Sequence, residues 1–174
     1  MRDYPRLKIV LSEGGIGWIP YFLERADLVL KNHGPWTHNT DFGGLTPSEY
    51  FKQHFFSCFI VDRFGLSQRD KVGIDTITWE CDYPHSDTTW PRSPEILARS
   101  LVGVPDEEID KITHENAMRL FRLDAFSHRP RERCTAAALR AESPDVDLSV
   151  KSVRGGLPPS LDPSRPVTTN DVLK

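Results

Sequence analysis

The sequence predicts an α/β fold built on a small parallel sheet. Three short apolar runs, at residues 7–11, 55–61 and 74–79, are each followed by a segment of helical character. Runs without polar interruption are typical of strands buried on both faces, as in parallel sheets, and parallel strands need crossover helices between them. Three strands alone would leave both sheet edges open, which suggests that partner strands are missing.

The segments between and after the strands carry helix signals. Residues 18–32 place apolar side chains at helical spacing. Thr46, with Glu49 three residues later, forms a capping-box pattern that predicts a helix start. A break in the last predicted helix is expected at Thr113, which together with Asn116 looks like a second helix start. Further helices are predicted at residues 65–72, 93–101 and 106–123.

The character of the chain changes after residue 126. Residues 127–174 are rich in Pro, Ser, Asp and Arg and contain few large apolar residues. They therefore bury too little apolar surface to offset the entropy lost on ordering, and only the stretch TAAALRAE favours a helix, a transient one. We divide the chain into a partial domain at residues 1–126 and a mostly disordered tail at residues 127–174.

Composition excludes several classes of protein. The 174 residues carry a formal net charge of −3 and no long run of Lys or Arg, so no nucleic-acid partner is expected. No stretch approaches the ~18–20 consecutive apolar residues of a membrane-spanning helix, so no membrane partner is expected either. The three cysteines, Cys58, Cys81 and Cys134, are widely spaced, which favours reduced thiols and a cytoplasmic location.

Polar side chains follow each predicted strand. Glu13 comes after the first strand and Asp62 after the second. Asp82 and His85 come after the third, within the motif WECDYPHSDTTWP. In a parallel barrel these strand ends share the face on which active sites lie. Asp82 is therefore a candidate metal ligand, or a base for a metal-bound water, with an ordinary turn residue as the alternative.

The neighbouring residues leave alternatives open. His85 contacts a substrate, orients Asp82, or is an ordinary loop histidine. Glu13 is either an active-site acid or a carboxylate near the N-terminus of the first helix. Arg92 is suited to holding the carboxylate of a substrate. Trp90 either lines the same substrate pocket or packs the loop.

Three segments in this order resemble the amidohydrolase-related ("amidohydrolase 2") family: RLKIVLSEGGIGWIPYFLERAD, WECDYPHSDTTWPRS and ITHENAMRLFRL. The resemblance covers about residues 5–124. The family includes aminocarboxymuconate semialdehyde decarboxylase and related aromatic-acid decarboxylases. The resemblance implies a TIM-type (β/α)8 barrel, of which this chain would be the C-terminal portion, about three β/α units matching strands six to eight.

The resemblance also implies one divalent metal, often zinc. In the family the metal is held by an H-x-H or E-x-H motif of strand one, a histidine of strand five and an aspartate of strand eight. Asp82 matches the strand-eight aspartate, while Glu13 stands where many members carry a histidine. The strand-one motif is absent, so the chain offers about half of an active site. His33 and His38 are further candidates for the same cleft.

Two hypotheses about function remain open. In the first, the chain is the C-terminal fragment of a metal-dependent hydrolase or decarboxylase of a small carboxylated substrate, inactive without an N-terminal barrel half. Asp82 would bind the metal or activate water, and Glu13 or His85 would move a proton. In the second, the chain is a non-catalytic truncated or split-gene product that acts as an interaction subunit. Self-association of several copies into one barrel is a further idea.

Overall fold

A parallel three-stranded sheet lies at the centre of the molecule in a computed structural model that describes residues 1–37 and 41–149. The strands are β1 (Ile9–Leu11), β2 (Phe55–Phe59) and β3 (Ile77–Trp79), in the order β1-β2-β3. Both pairings are parallel. The α/β fold with a parallel sheet, predicted from the sequence, is confirmed.

Along the sequence, helices come between successive strands and after the last one, because parallel strands need crossover connections. A π-helical turn (Lys111–Glu115) joins two of them. None of the described helices is long and apolar enough to cross a membrane. The α-helices are α1 (Ile19–His33), α2 (Pro47–His54), α3 (Arg63–Ser67), α4 (Arg69–Val72), α5 (Ser93–Ser100), α6 (Asp106–Asp110), α7 (Asn116–Phe121) and α8 (Ala136–Glu142).

β2 is the most buried strand because it pairs with both neighbours. Ser57 at its centre lies opposite Leu11 of β1 and Ile77 of β3. Phe59 at its end is fully buried and packs into the core that the helices close over the sheet. The other core residues are Ile16, Ile19, Leu23, Phe51, Leu66, Val72, Ile77, Leu97, Leu101 and Ile112.

The predicted capping box at the start of α2 is confirmed. Thr46 Oγ1 accepts a hydrogen bond from the Glu49 amide at 3.3 Å, and the Glu49 carboxylate accepts one from the Thr46 amide at 2.7 Å. The Asp27 carboxylate of α1 accepts hydrogen bonds from the Ser48 amide and hydroxyl, at 2.9 and 2.6 Å. The first turn of α2 is thereby fastened to α1.

The predicted break at Thr113 is wrong, because helical backbone continues from α6 through the π-helical turn into α7. The Thr113 hydroxyl donates to the carbonyl of Ile109 at 2.8 Å. A hydroxyl that bonds back to the preceding turn stays inside the helix and does not cap a new one.

Asn116 fastens this helical segment to the sheet. It is 1% exposed, and its Nδ2 donates to the carbonyls of Ile74 and Ile77, at 2.8 Å each. Two carbonyls at the entry to β3 thus share one buried amide as their donor. A buried carbonyl left without a donor costs about 1–3 kcal/mol.

Ordered structure continues beyond residue 126 into the predicted tail. Thr135 caps α8 by accepting a hydrogen bond from the Ala138 amide at 3.2 Å, so the stretch TAAALRAE contains a helix. Residues 150–174 lie outside the described part of the chain. The division of the chain at residue 126 stays a prediction.

Charged side chains attach this C-terminal part to the rest of the molecule. Arg140 of α8 donates to both carboxylate oxygens of Glu95 on α5, at 2.5 and 3.2 Å. Arg131 donates to both oxygens of Asp110 on α6, at 2.6 Å each. These contacts are charge-assisted hydrogen bonds. Because they are exposed, each of them stabilises the attachment only modestly.

Substitution Asn116→Ala should lower the free energy of unfolding by about 2–4 kcal/mol, because one buried and one half-buried carbonyl lose this donor. Urea denaturation followed by circular dichroism measures this change. Asn32→Ala is the matched control, because Asn32 is exposed on α1, and it should change stability by less than about 0.5 kcal/mol. Equal stability of the two variants would contradict the role of Asn116.

The contact between α8 and α5 should persist to low pH. Hydrogen bonds from Arg140 lower the pKa of the Glu95 carboxyl to about 2. In the unfolded chain the pKa of Glu95 is roughly 4.3. Because the folded pKa is lower, the contact stabilises the fold fully above about pH 4.3, and this stabilisation is lost as the pH falls through about 2.

A ¹³C NMR titration of the side-chain carboxyls tests this. The titration midpoint of Glu95 should lie well below the ordinary Glu value of about 4.3, and it should rise toward that value in Arg140→Gln. Arg25→Gln, which changes an exposed arginine of α1, should leave the midpoint where it is. An ordinary midpoint in the unmodified chain would rule out the Arg140 contact.

Candidate metal and active site

Three predicted site residues lie together at the carboxyl ends of the strands. Glu13 follows β1, while Asp82 and His85 lie in the loop after β3. One potential ligand atom from each of these three residues lies within 4.8 Å of the other two. The structure therefore brings together the three residues that the sequence nominates as catalytic.

Asp82 and His85 are joined by two contacts. The His85 amide donates to the Asp82 carbonyl at 2.8 Å, and His85 Nδ1 lies 3.0 Å from Asp82 Oδ2. The Asp82 side chain is 12% exposed, whereas the His85 side chain is 64% exposed. An outer imidazole thus holds an inner carboxylate, which is the arrangement expected of a residue that orients Asp82.

Glu13 and Asp82 share an uncommon backbone conformation. Their φ angles are 63° and 57°, in the left-handed region, which costs a non-glycine residue of order 1 kcal/mol. Asp tolerates this region because its short side chain can bond locally, so Glu13 is the less expected of the two. Such residues concentrate at functional sites, and here both contribute to the same cluster.

Glu80 positions the loop that carries Glu13, a role that is not predicted from the sequence. Its Oε1 accepts a hydrogen bond from the Glu13 amide at 2.5 Å and another from the Cys58 thiol at 2.8 Å. Burial and the contact with Glu80 raise the pKa of the Cys58 thiol to about 12, so it stays protonated and donates. An acid directly after an apolar strand was the only available signal.

Asp62 follows β2 but has a structural role. Its Oδ2 accepts hydrogen bonds from the amides of Ile16 and Gly17, at 2.8 and 2.7 Å, and its Oδ1 accepts one from Gly65 at 2.7 Å. Both carboxylate oxygens are therefore occupied by backbone amides. The approach to the Gly65 amide requires a glycine, because a Cβ at this position would lie 2.5 Å from Asp62 Oδ2 and 2.4 Å from a side-chain carbon of Ile16.

Trp90 and Arg92 follow His85 in the segment between β3 and α5. The Trp90 ring packs against Tyr83 with centroids 5.1 Å apart, which favours the loop-packing alternative. Arg92 is exposed, and its guanidinium makes no hydrogen bond or ion pair within residues 1–37 and 41–149. His33 is exposed at the end of α1. His38 lies outside the described residues.

Comparison with solved structures shows similarity to amidohydrolase-superfamily enzymes. The 5-carboxyvanillate decarboxylase LigW from Sphingomonas paucimobilis is 27% identical with a TM-score of 0.56, over 71% of this chain and 36% of that enzyme. A putative amidohydrolase from Staphylococcus aureus is 30% identical with a TM-score of 0.50, over 70% and 37%. An amidohydrolase from Mycobacterium avium subsp. paratuberculosis K-10 is 22% identical with a TM-score of 0.56, over 68% and 29%.

This chain therefore spans about a third of the length of these structures, and its fold corresponds to part of a TIM-type barrel. No curated protein matches the sequence. The family model described as Amidohydrolase matches residues 1–123. Since that match covers more than half of the chain, the resemblance seen in the sequence is confirmed, and the chain belongs to the amidohydrolase family.

Proposed function

We propose that this chain supplies part of a divalent-metal site in a hydrolase or decarboxylase that acts on a small carboxylated substrate. The observation that carries the proposal is the cluster of Glu13, Asp82 and His85, whose potential ligand atoms lie within 4.8 Å of one another. The cluster lies at the carboxyl ends of parallel strands, which is the face used for catalysis in barrels of this kind.

The residues of the cluster fit a divalent cation. Two carboxylates and one imidazole are the donor types that zinc accepts in catalytic sites, where about three protein ligands are usual. Zinc is the metal we propose. When bound, such an ion would polarise a carboxylate or carbonyl oxygen, or lower the pKa of a bound water.

The side chains of the cluster have separable roles in this proposal. Asp82, the less exposed carboxylate, is the primary ligand or the base that takes a proton from water. His85 holds the Asp82 carboxylate through the contact at 3.0 Å, and either it or Glu13 carries the proton onward.

Arg92 completes the substrate side in the proposal. The exposed guanidinium of Arg92 makes no hydrogen bond or ion pair within the described ranges, so it can bind a substrate carboxylate in a bidentate manner. Trp90, half-buried and packed against Tyr83, would support the loop that carries Asp82 and His85. The name of the LigW enzyme states decarboxylation of a carboxylated aromatic, which supports this class of substrate.

A complete enzyme of this family would need side chains from the rest of a barrel. The chain covers 36% of the LigW enzyme, so the activity of a whole barrel enters here only as a proposal. The missing ligands would come from an N-terminal barrel half or from another copy of the chain.

The second candidate function is that of a non-catalytic interaction subunit. One observation favours it: β1 and β3 each pair on one side only within the described residues, and Leu7 before β1 and Val10 within it are 46% and 38% exposed. Open edges with apolar neighbours invite pairing with another polypeptide.

Metal binding tests the first candidate. After loading with Zn²⁺ and gel filtration, elemental analysis should find about one zinc per chain, lost in Asp82→Ala. Asp87→Ala is the matched control, because Asp87 is an exposed acid of the same loop, and it should keep the metal.

Titration with Mn²⁺ gives a second measurement, which also detects weak metal binding. In ¹H–¹⁵N spectra, low Mn²⁺ should broaden the signals of Glu13, Asp82 and His85 first, and this selectivity should disappear in Asp82→Ala. Zinc retained by Asp82→Ala at the level of Asp87→Ala, or broadening that spares the cluster, would overturn the proposal.

A further inference from the structure

We propose that Thr88 is a positioning residue of the metal site and that its hydroxyl group holds the backbone of Asp82. Held in this way, the Asp82 carboxylate stays directed at Glu13 and His85. The expected effect of Thr88 on metal binding rests on the proposed function. Its effect on the backbone of Asp82 is independent of any metal.

Three hydrogen bonds of Thr88 close the loop that carries Asp82 and His85. The Thr88 amide donates to the His85 carbonyl at 3.2 Å, and the Thr88 hydroxyl donates to the Cys81 carbonyl at 2.8 Å. The oxygen of the same hydroxyl accepts a hydrogen bond from the Trp90 amide at 3.2 Å. One residue thus joins the start, the middle and the end of the loop.

The peptide groups on both sides of Asp82 are held by this network. The Cys81 carbonyl belongs to the peptide group before Asp82, and the Thr88 hydroxyl donates to it. The Asp82 carbonyl belongs to the peptide group after it, and the His85 amide donates to that carbonyl at 2.8 Å. Because the first group sets φ of Asp82 and the second sets ψ, the two bonds together fix its backbone.

The backbone of Asp82 needs this support. Its φ angle of 57° lies in the left-handed region, where a residue other than glycine is less stable than in the ordinary regions. Without the Thr88 hydroxyl, the peptide group between Cys81 and Asp82 would be free to turn over, and φ of Asp82 would become negative. The Asp82 carboxylate would then leave its contact of 3.0 Å with His85 Nδ1.

The threonine side chain suits this role. A hydroxyl has one proton to donate, and Thr88 uses it on the Cys81 carbonyl. Its two lone pairs leave the oxygen able to accept from the Trp90 amide at the same time. A β-branched side chain has few χ1 conformations, so the hydroxyl loses little freedom when it forms both bonds.

Three substitutions separate the hydroxyl from the rest of the side chain. Thr88→Val keeps the shape and lacks the hydroxyl, Thr88→Ala lacks it without adding a methyl group in its place, and Thr88→Ser keeps it. The intraresidue NOE between the amide and α protons of Asp82 reports its backbone, because these protons are closest at positive φ. In the metal-free chain this NOE should weaken in the valine and alanine variants and stay strong in the serine variant.

The affinity for Zn²⁺ is the second measurement. Calorimetric titration of the full chain should give a dissociation constant about 3- to 10-fold higher in Thr88→Val, the range expected for one lost hydrogen bond. In Thr88→Ser the constant should stay within about 2-fold of the unmodified chain, because the hydrogen bond remains. Thr37→Val is the matched control, because Thr37 is exposed and follows the far end of α1. It should change neither the NOE nor the affinity.

The outcomes distinguish this inference from the proposed function. If the unmodified chain binds no Zn²⁺, the proposed metal site is overturned, and the NOE alone then decides the role of Thr88. A strong NOE of Asp82 in both Thr88→Val and Thr88→Ala overturns the inference. An equal loss of the NOE in Thr88→Ser also overturns it, because the methyl group would then be responsible. So does a valine variant that loses the NOE and keeps the full affinity for Zn²⁺.

Discussion

The carboxylate of Asp62 is the contact on which the arrangement of the strand ends depends. One side chain accepts three backbone amides, two from the loop after β1 and one from the first turn of α3. Charge-assisted bonds to amides are among the stronger ones available to a protein, and here they fasten a loop that has few apolar side chains of its own. Glu13 belongs to this loop, so its place beside Asp82 depends on Asp62 as well as on Glu80, which accepts the hydrogen bond from the Glu13 amide.

Acids at the three strand ends thus divide into two groups. Asp62 and Glu80 use their oxygens on backbone amides and a thiol, and they hold the loops in place. Glu13 and Asp82 leave side-chain oxygens near each other and near His85. In a parallel sheet the strand ends meet at one face. A few acids that hold the loops there are therefore enough to orient the other acids.

The elements predicted from the sequence were those with strong local signals. The apolar runs became β1, β2 and β3, and the Thr46–Glu49 pattern became a capping box. The break predicted at Thr113 is absent because a threonine can either cap a helix or, inside one, bond back to the preceding turn. Only the position of the Ile109 carbonyl decides between the two.

The scaffolding roles of Asp62 and Glu80 could not be predicted, because their partners are distant in the sequence. The amides of Ile16 and Glu13 lie 46 and 67 positions away, respectively. The cluster of Glu13, Asp82 and His85 was within reach of sequence analysis, since parallel topology alone brings their strand ends together.

The thiol of Cys58 gives this architecture a built-in vibrational reporter. The S–H stretching band lies in a part of the infrared spectrum that the amide bands leave clear, and hydrogen bonding lowers its frequency. Because the thiol points at Glu80 and stays protonated, its band would respond to any movement of the β3 end relative to β2. A displacement of the Glu80 carboxylate from the Cys58 thiol could therefore be followed without attaching any probe to the protein.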